Sequence, residues 1–417
     1  MGSNNLSVVE HKISQLSSVH YGCNVNNTII LLNASDVNIE TYLYGPAEKY
    51  IILIFYPITI VFGLISNLAF LAVVLKCPSM RTTTNCYLSN LAVADLLFIS
   101  TVSYHFFVSY ILSSDVKLLF YHSSTGCAVN VTLQFMSHFT AIALVVLVTV
   151  ERYMCICHAV QHRRISSRKL TIRLITVAWT FGLIYSVTLV SPTYFRFDWT
   201  CILWPDKEHY EELPVVLTTC TPIHPFYEHT PLIIQPIPYI SALVANCIMY
   251  LLIIKTLRKR DTRYTSKNQH TAGSLRSKRS SNITRLLIAN ACSFFICYSP
   301  FYFTRVQYAL TDLSVGNVGI SVNRIERGVV NWAAVLLSLV NSVMNPVIYN
   351  IASPQYRQAF AKVFTCKTKQ RLSRNNAAAR KRFNDVLNVT DIYSITNPDK
   401  EITAKRTINQ GIITTNL

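Results

Sequence analysis

Residues 87–112 read YLSNLAVADLLFISTVSYHFFVSYIL. The run holds no Lys or Arg and one carboxylate, Asp95, set within Leu91-Ala-Val-Ala-Asp95-Leu-Leu97. It exceeds the roughly 20 residues that a helix needs to cross a hydrocarbon core. A carboxylate at such a depth costs about 2.5–3.5 kcal/mol on insertion scales, so it must face other protein rather than lipid. One helix cannot supply that protein. The stretch therefore predicts a polytopic bundle with a polar seam.

Six further apolar stretches, 50–76, 126–156, 170–193, 231–257, 282–310 and 328–351, are long enough to span as well. The expected architecture is an all-α membrane protein, a seven-transmembrane helix bundle over 50–352. Composition agrees: 51% of the 417 residues are hydrophobic and 14% charged, with a mean hydropathy of +0.32, where soluble domains carry about 25% charged residues. The 38 Lys+Arg against 20 Asp+Glu give a net charge of +18. These bases sit mainly in alternate connections: Lys76 and Arg81, then Arg163, Arg164, Arg168 and Lys169, then Lys255 to Arg285. The positive-inside rule makes those connections cytoplasmic. Membrane lipid and the cytoplasm account for the charge, and nucleic acid is not needed as a partner. The N-terminus is then outside, the C-terminus inside, and the plasma membrane is the expected location.

Residues 1–49 read as an extracellular tail without a cleavable leader, so the first span acts as its own insertion signal. Asn5, Asn26 and Asn33 each begin a glycosylation tripeptide. Residues 258–280 and the cytoplasmic tail 367–417 are polar and basic, and disorder is expected there. Of 12 Cys, four fall outside: Cys23, Cys127, Cys201 and Cys220. They allow three connectivities. A Cys127–Cys220 bridge would pin the long 194–230 connection to the bundle mouth, leaving Cys201 with Cys23; Cys201 is the alternative partner of Cys127. No Cys or His spacing suits a metal.

Asp95 has candidate partners in Asn67 of the first span and in Asn341, Ser342 and Asn345 of the seventh. Asn341 and Asn345 are four apart and share a helical face. Such a cluster suits a hydrated cation such as sodium, or a plain buried hydrogen-bond network. Ala141 offers no hydroxyl from the third span. Arg152 lies 25 residues past Cys127, roughly 37 Å at about 1.5 Å per residue, from one membrane face to the other. With Glu151 and Tyr153 beside it and a basic loop after it, it reads as a switch whose Glu151–Arg152 ion pair holds the closed state. Pro300, in Phe294-Phe-Ile-Cys-Tyr298-Ser-Pro300, kinks the sixth span against the carbonyl of Ile296; Pro346 does so in the seventh against that of Ser342.

Together, Asn67, Leu91-Ala-Val-Ala-Asp95, Cys127, Glu151-Arg152-Tyr153, Trp179, Tyr250, Phe294 with Cys297 and Pro300, and Asn345-Pro-Val-Ile-Tyr349 resemble the rhodopsin-like (class A) G-protein-coupled receptors over residues 50–366. The resemblance implies that Asp95 is a sodium and water hub and that Arg152 meets a heterotrimeric G protein. It also implies that Tyr250 and Tyr349 swing inward as the sixth helix moves outward. Gq coupling and arrestin binding are inferences of the same kind. This chain departs from the family pattern at Tyr298, where Trp is usual, at Ala242 and Ala159, where Pro is common, and at Ser280, where an acid often stands. Residues 353–366, Ser353-Pro-Gln-Tyr356-Arg-Gln-Ala-Phe360-Ala-Lys-Val-Phe364-Thr-Cys366, read as a short amphipathic helix 8 on the inner membrane surface. Cys366 is its palmitoylation candidate. Thr415-Asn-Leu417 fits a C-terminal PDZ ligand.

Gln134 stands where amine receptors carry an Asp, and Leu339 where opsins carry the retinal Lys. A peptide is the remaining expectation, with a non-peptide lipid or small molecule as the alternative. The 194–230 connection suggests a hairpin lid, and its acids suit a cationic ligand. Gln134 and His138 share a helical face with Asn130. The stretch Pro300-Phe-Tyr-Phe-Thr-Arg305, with Thr219-Cys-Thr-Pro-Ile-His-Pro and Ile233-Ile-Gln235, is similar to the neuromedin U and ghrelin-type receptors; Phe135 stands where those receptors have a pocket Glu. The expected ligand pocket comprises Gln134, Phe135, His138, Arg305, Asn331 and Trp332. No catalytic constellation is evident and no cofactor is implied beyond sodium. No internal repeat favours a transporter, and Arg152 with Asn345-Pro-Val-Ile-Tyr349 speaks against a non-signalling scaffold.

Overall fold

The computed structural model describes residues 28–31, 42–117, 124–189, 195–204, 210, 213–214, 216–222, 234–265, 272–315 and 324–364. Seven of its helices are long and apolar enough to cross a membrane. They run Pro46–Lys76, Thr83–Leu112, Ser124–Cys157, Arg168–Leu189, Pro236–Thr265, Ala272–Val315 and Arg324–Ala352. The chain divides into two units, Met1–Arg357 and Gln358–Leu417.

The first span contains a π turn, Ile51–Phe55, in which the Tyr56 amide reaches back to the Ile51 carbonyl. Pro57 follows at once. A proline has no amide to give and crowds the carbonyl four residues back, so the widened turn absorbs it without breaking the helix. Two boundaries are described only in part. The fifth span is described from Pro236, with 231–233 lying outside the described residues; a proline is most at home in a first turn, where its missing amide leaves no gap. The fourth ends at Leu189, with residues up to 193 lying outside the described ones. The basic stretch 258–280, expected to be disordered, is instead largely helical: the fifth helix continues to Thr265 and the sixth begins at Ala272. Between 250 and 265 there is neither Gly nor Pro to end the helix, and Lys and Arg are good helix formers.

The third span is central, packing on the second, fourth, fifth and sixth, while the seventh closes the bundle between the sixth and the first. Gly182 lets the third and fourth come close. A Cβ there would lie 2.1 Å from the Thr140 hydroxyl and 2.8 Å from the Met136 carbonyl. Trp179 Nε1 donates to Asn90 Oδ1 at 3.1 Å, joining the fourth span to the second.

The long outer connection forms the expected hairpin. Strands β2, Phe195–Leu203, and β3, Val216–Pro222, pair antiparallel, with Phe197 opposite Cys220 and Cys201 opposite Val216. A third strand from the N-terminal tail, β1, Thr28–Leu31, pairs parallel with β2 from Thr28–Thr200 to Leu31–Leu203. Nearer the first span the tail meets the first outer connection: Leu43 bridges Val116 and the Tyr44 amide donates to the Asp115 carbonyl at 2.8 Å.

The terminal helix covers 354–364. Tyr356 packs on Phe70 and Tyr349 and donates to Asn85 at the start of the second span. Burial pushes its hydroxyl up to about 12, so it remains a neutral donor. In the second unit the rings of Phe360 and Phe364 lie 6.1 Å apart. Asn5, Asn26, Asn33, Cys23 and Cys366, the C-terminal Thr415-Asn-Leu417, and the side chains of Cys127, Cys201 and Cys220 lie outside the described residues.

Candidate functional site

Three polar layers cross the bundle, at successive depths along the third span. The outermost is a cavity of about 30 Å³ lined by Phe98, Gln134, Phe135, His138, Gln235, Tyr298, Phe301, Val335 and Ser338. Gln134 and His138 face it from one helical face, as their spacing requires. His138 is buried, its Nε2 bonded to the Tyr302 hydroxyl and its ring 4.6 Å from that of Tyr298. Its Nδ1 has no hydrogen-bond partner among the described residues, nor has Gln235 Nε2. Tyr302 stacks on Tyr239 at 4.1 Å, and the Tyr239 hydroxyl donates to the Phe295 carbonyl at 2.7 Å, next to the Ile296 carbonyl that Pro300 displaces. His138 thus connects through two tyrosines to the kink of the sixth span. Tyr298 also rests on Phe294, 4.8 Å away.

Three expected pocket residues are placed elsewhere. Trp332 is 8% exposed and packs against Phe106, Tyr56 and Tyr44, where the first, second and seventh spans meet. An aromatic at the outer end of a span reads alike as pocket or as core, and here the neighbouring aromatics enclose it. Asn331 does not line the cavity either. Arg305 sits with its guanidinium 4.9 Å from the ring of Phe301, one turn above a lining residue. Phe98, Gln235, Phe301, Val335 and Ser338 were missed. Two were legible: Phe98 lies three residues past Asp95, and Ser338 seven before Asn345, both on faces already recognised as inward.

The middle layer is the Asp95 cluster. Asp95 is 2% exposed; Ser342 Oγ donates to its Oδ1 at 2.8 Å and Asn345 Nδ2 to its Oδ2 at 2.7 Å. Asn67 Nδ2 donates to the Ser342 carbonyl at 2.9 Å, the group freed by Pro346 four residues on. Asn341, on the same face, has both side-chain polar atoms buried without a hydrogen bond among the described residues, and so are Asn67 Oδ1 and Asn345 Oδ1. Such a collection of unsatisfied acceptors around one carboxylate suits waters or a small cation. Ala141 of the third span, expected to approach this cluster, is buried and has no polar side chain.

The innermost layer holds Glu151, Arg152 and Tyr153. The expected Glu151–Arg152 ion pair does not form. Adjacent helical residues point about 100° apart and do not face each other. Arg152 instead donates to the Thr84 hydroxyl of the second span, and Glu151 Oε1 bonds His162 Nε2 at 3.0 Å. His162 belongs to the connecting helix Ala159–Ile165. Tyr153 bonds His158 at 3.2 Å. Tyr250 accepts from Thr149 at 3.0 Å and donates to the Leu287 carbonyl at 3.1 Å, tying the third, fifth and sixth spans. Tyr349 is buried against Phe70, its hydroxyl without a hydrogen-bond partner among the described residues.

Residues 66–349 match the family model of the 7 transmembrane receptor (rhodopsin family). The chain belongs to that family. This rhodopsin-family receptor is a multi-pass membrane protein. It is 28% identical to neuromedin-U receptor 2 of Mus musculus, over 78% of this chain and 79% of the relative. It is 26% identical to somatostatin receptor type 5 of Rattus norvegicus, over 76% and 78%, and 24% identical to the thyrotropin-releasing hormone receptor of Bos taurus, over 74% and 76%. The receptor's similarity is thus spread over several such receptors, the neuromedin U group among them.

Proposed function

We propose that this receptor recognises an extracellular peptide and transmits its binding to a heterotrimeric G protein, through Gq, by outward movement of the sixth span. The supporting observation is the outer cavity, floored by uncharged polar groups and aromatics, with Gln134, His138 and Gln235 facing it and Arg305 one turn above Phe301. Among the described residues that line it there is no carboxylate to pair an ammonium and no Lys for retinal. The relatives are named for somatostatin, neuromedin U and thyrotropin-releasing hormone, which are peptides. Here the ligand enters from outside with the N-terminus extracellular, and the receptor works at the plasma membrane.

His138, Tyr302, Tyr239 and the Phe295 carbonyl form the route by which a ligand in the cavity acts on the kink at Pro300. The Asp95 cluster binds sodium in the inactive state. Arg152, released from Thr84, meets the G protein. Calcium release in cells expressing the receptor, with and without a promiscuous G protein, against a library of amidated neuropeptides tests this reading. A response that Arg152→Ala abolishes at unchanged surface expression is the expected result, and a response without the promiscuous G protein supports Gq. Silence across the library, with surface expression verified, turns the assignment toward a lipid ligand.

A further inference from the structure

A second cavity, of about 100 Å³, lies on the cytoplasmic half of the bundle between the third span, the start of the fourth and the connecting helix. Its wall is mostly apolar, formed by Leu147, Val150, Met154, Leu170 and Leu174. Of the residues that line it, the carboxylate Glu151 and the imidazole His162 are bonded to each other, and Tyr87 of the second span joins the polar part of the wall. Arg163, Arg164, Arg168 and Lys169 alternate in the chain with the lining residues His162, Ile165, Ser166, Ser167 and Leu170. All four are exposed, and none forms an ion pair among the described residues. Ser166 and Ser167 line the cavity between these bases and the apolar wall.

Depth gives the arrangement its meaning. Leu174 lies six residues beyond Arg168 on the same helix, about 9 Å further into the membrane at about 1.5 Å per residue. The bases are therefore level with the headgroups of the inner leaflet, and the apolar wall is level with the start of the acyl chains. The one acid in the cavity wall, Glu151, is already bonded to His162, and clustered cations that no acid pairs repel one another and attract anionic lipid at that surface.

We propose that this cleft binds an anionic phospholipid of the inner leaflet, its phosphate-bearing headgroup on Arg163, Arg164, Arg168 and Lys169 and part of an acyl chain against Leu170 and Leu174. The lipid presses the connecting helix onto the third span beside Glu151, next to Arg152. Its occupancy stabilises the loop that the G protein meets.

The test uses the full-length receptor in nanodiscs of phosphatidylcholine, titrated with a fluorescent bisphosphorylated phosphatidylinositol. Three variants are compared: R163Q/R164Q/R168Q/K169Q, which strips the collar; Leu170→Trp, which fills the cleft but keeps every charge; and Lys255→Gln/Lys259→Gln, which removes basic charge elsewhere on the same face. Thermal melting checks that each is folded. The proposal expects at least tenfold weaker binding for the collar variant, a several-fold loss for Leu170→Trp, and little change for the last. Equal losses in the collar and Lys255/Lys259 variants would mean diffuse attraction only and overturn the proposal. So would unaltered binding in Leu170→Trp together with equal competition by the soluble inositol phosphate headgroup, which would mark a site for free phosphates rather than for lipid.

Discussion

Arg152 is held in this structure by a neutral hydroxyl, and that decides how easily it is released. Thr84 Oγ1 is its acceptor, while Glu151 is occupied by His162. A hydrogen bond to a charged group contributes about 1.5–3 kcal/mol, so losing it shifts a two-state equilibrium by about tenfold or more. Thr84→Val keeps the shape and removes the acceptor. Ligand-free signalling, measured as inositol phosphate accumulation at matched surface expression, is expected to rise; an unchanged basal level would show that Thr84 does not hold the inactive state. The sequence showed the residues of this layer but not their pairing. A polar residue in an apolar run announces itself by its cost, which is why Asp95, Ser342 and Asn345 were legible. Partner choice depends on which way neighbouring side chains point, and there the adjacency of Glu151 and Arg152 misled. Trp332 misled for a related reason: its burial is set by Tyr44, Tyr56 and Phe106, residues far apart in the chain.

Whole helices are positioned by small residues and by proline. At Gly182 the backbone of the third span comes so near that any side chain must push the helices apart, the packing that small residues permit between membrane helices. Gly182→Val is expected to destabilise by about 1–3 kcal/mol, the usual range for overpacking. That would be read as a lower melting temperature in detergent and reduced surface expression, with Gly182→Ala intermediate. Proline positions were legible, since the residue itself fixes the kink. What the carbonyls near the kinks do was not: Asn67 takes that of Ser342, freed by Pro346, and Tyr239 takes that of Phe295, one residue before the carbonyl that Pro300 displaces. The second arrangement carries a prediction. Tyr239→Phe keeps the ring stacked on Tyr302 but removes the hydroxyl that holds the fifth span to the Phe295 carbonyl and the Ser299 hydroxyl of the sixth, at a cost of about 1 kcal/mol per hydrogen bond. Ligand-free activity should rise while surface expression is kept. If activity is unaltered, the hydroxyl only satisfies a carbonyl and does not restrain the sixth span.

Over the whole molecule, the spans were readable because crossing a membrane demands long apolar runs, and seven helices of that kind are present among the described residues. The outer architecture was not readable, because it is made by distant segments meeting: the tail strand β1 joins β2 some 170 residues away, and the segment before the first span joins the first outer connection. At the latter junction Glu48, 3% exposed, accepts from Lys117 at 2.8 Å and from the Gly45 amide at 3.0 Å, and half-buried Lys49 bonds exposed Asp115 at 2.7 Å. The two pairs are unequal. Lys49–Asp115 is open to solvent and contributes little, about 0–1 kcal/mol. Glu48 is enclosed, and removing the partner of a buried charge costs more than the pair contributes, up to about 3–5 kcal/mol; the remaining Gly45 amide makes the lower end apply. Lys117→Met should therefore lower the melting temperature clearly, whereas Lys49→Met should hardly move it. Glu48→Gln in the Lys117→Met background removes the stranded charge and should restore most of the loss. A double variant no more stable than Lys117→Met alone would show that the junction is held by its backbone bonds and aromatic contacts instead. Melting of the four proteins, purified in the same detergent, separates the two cases.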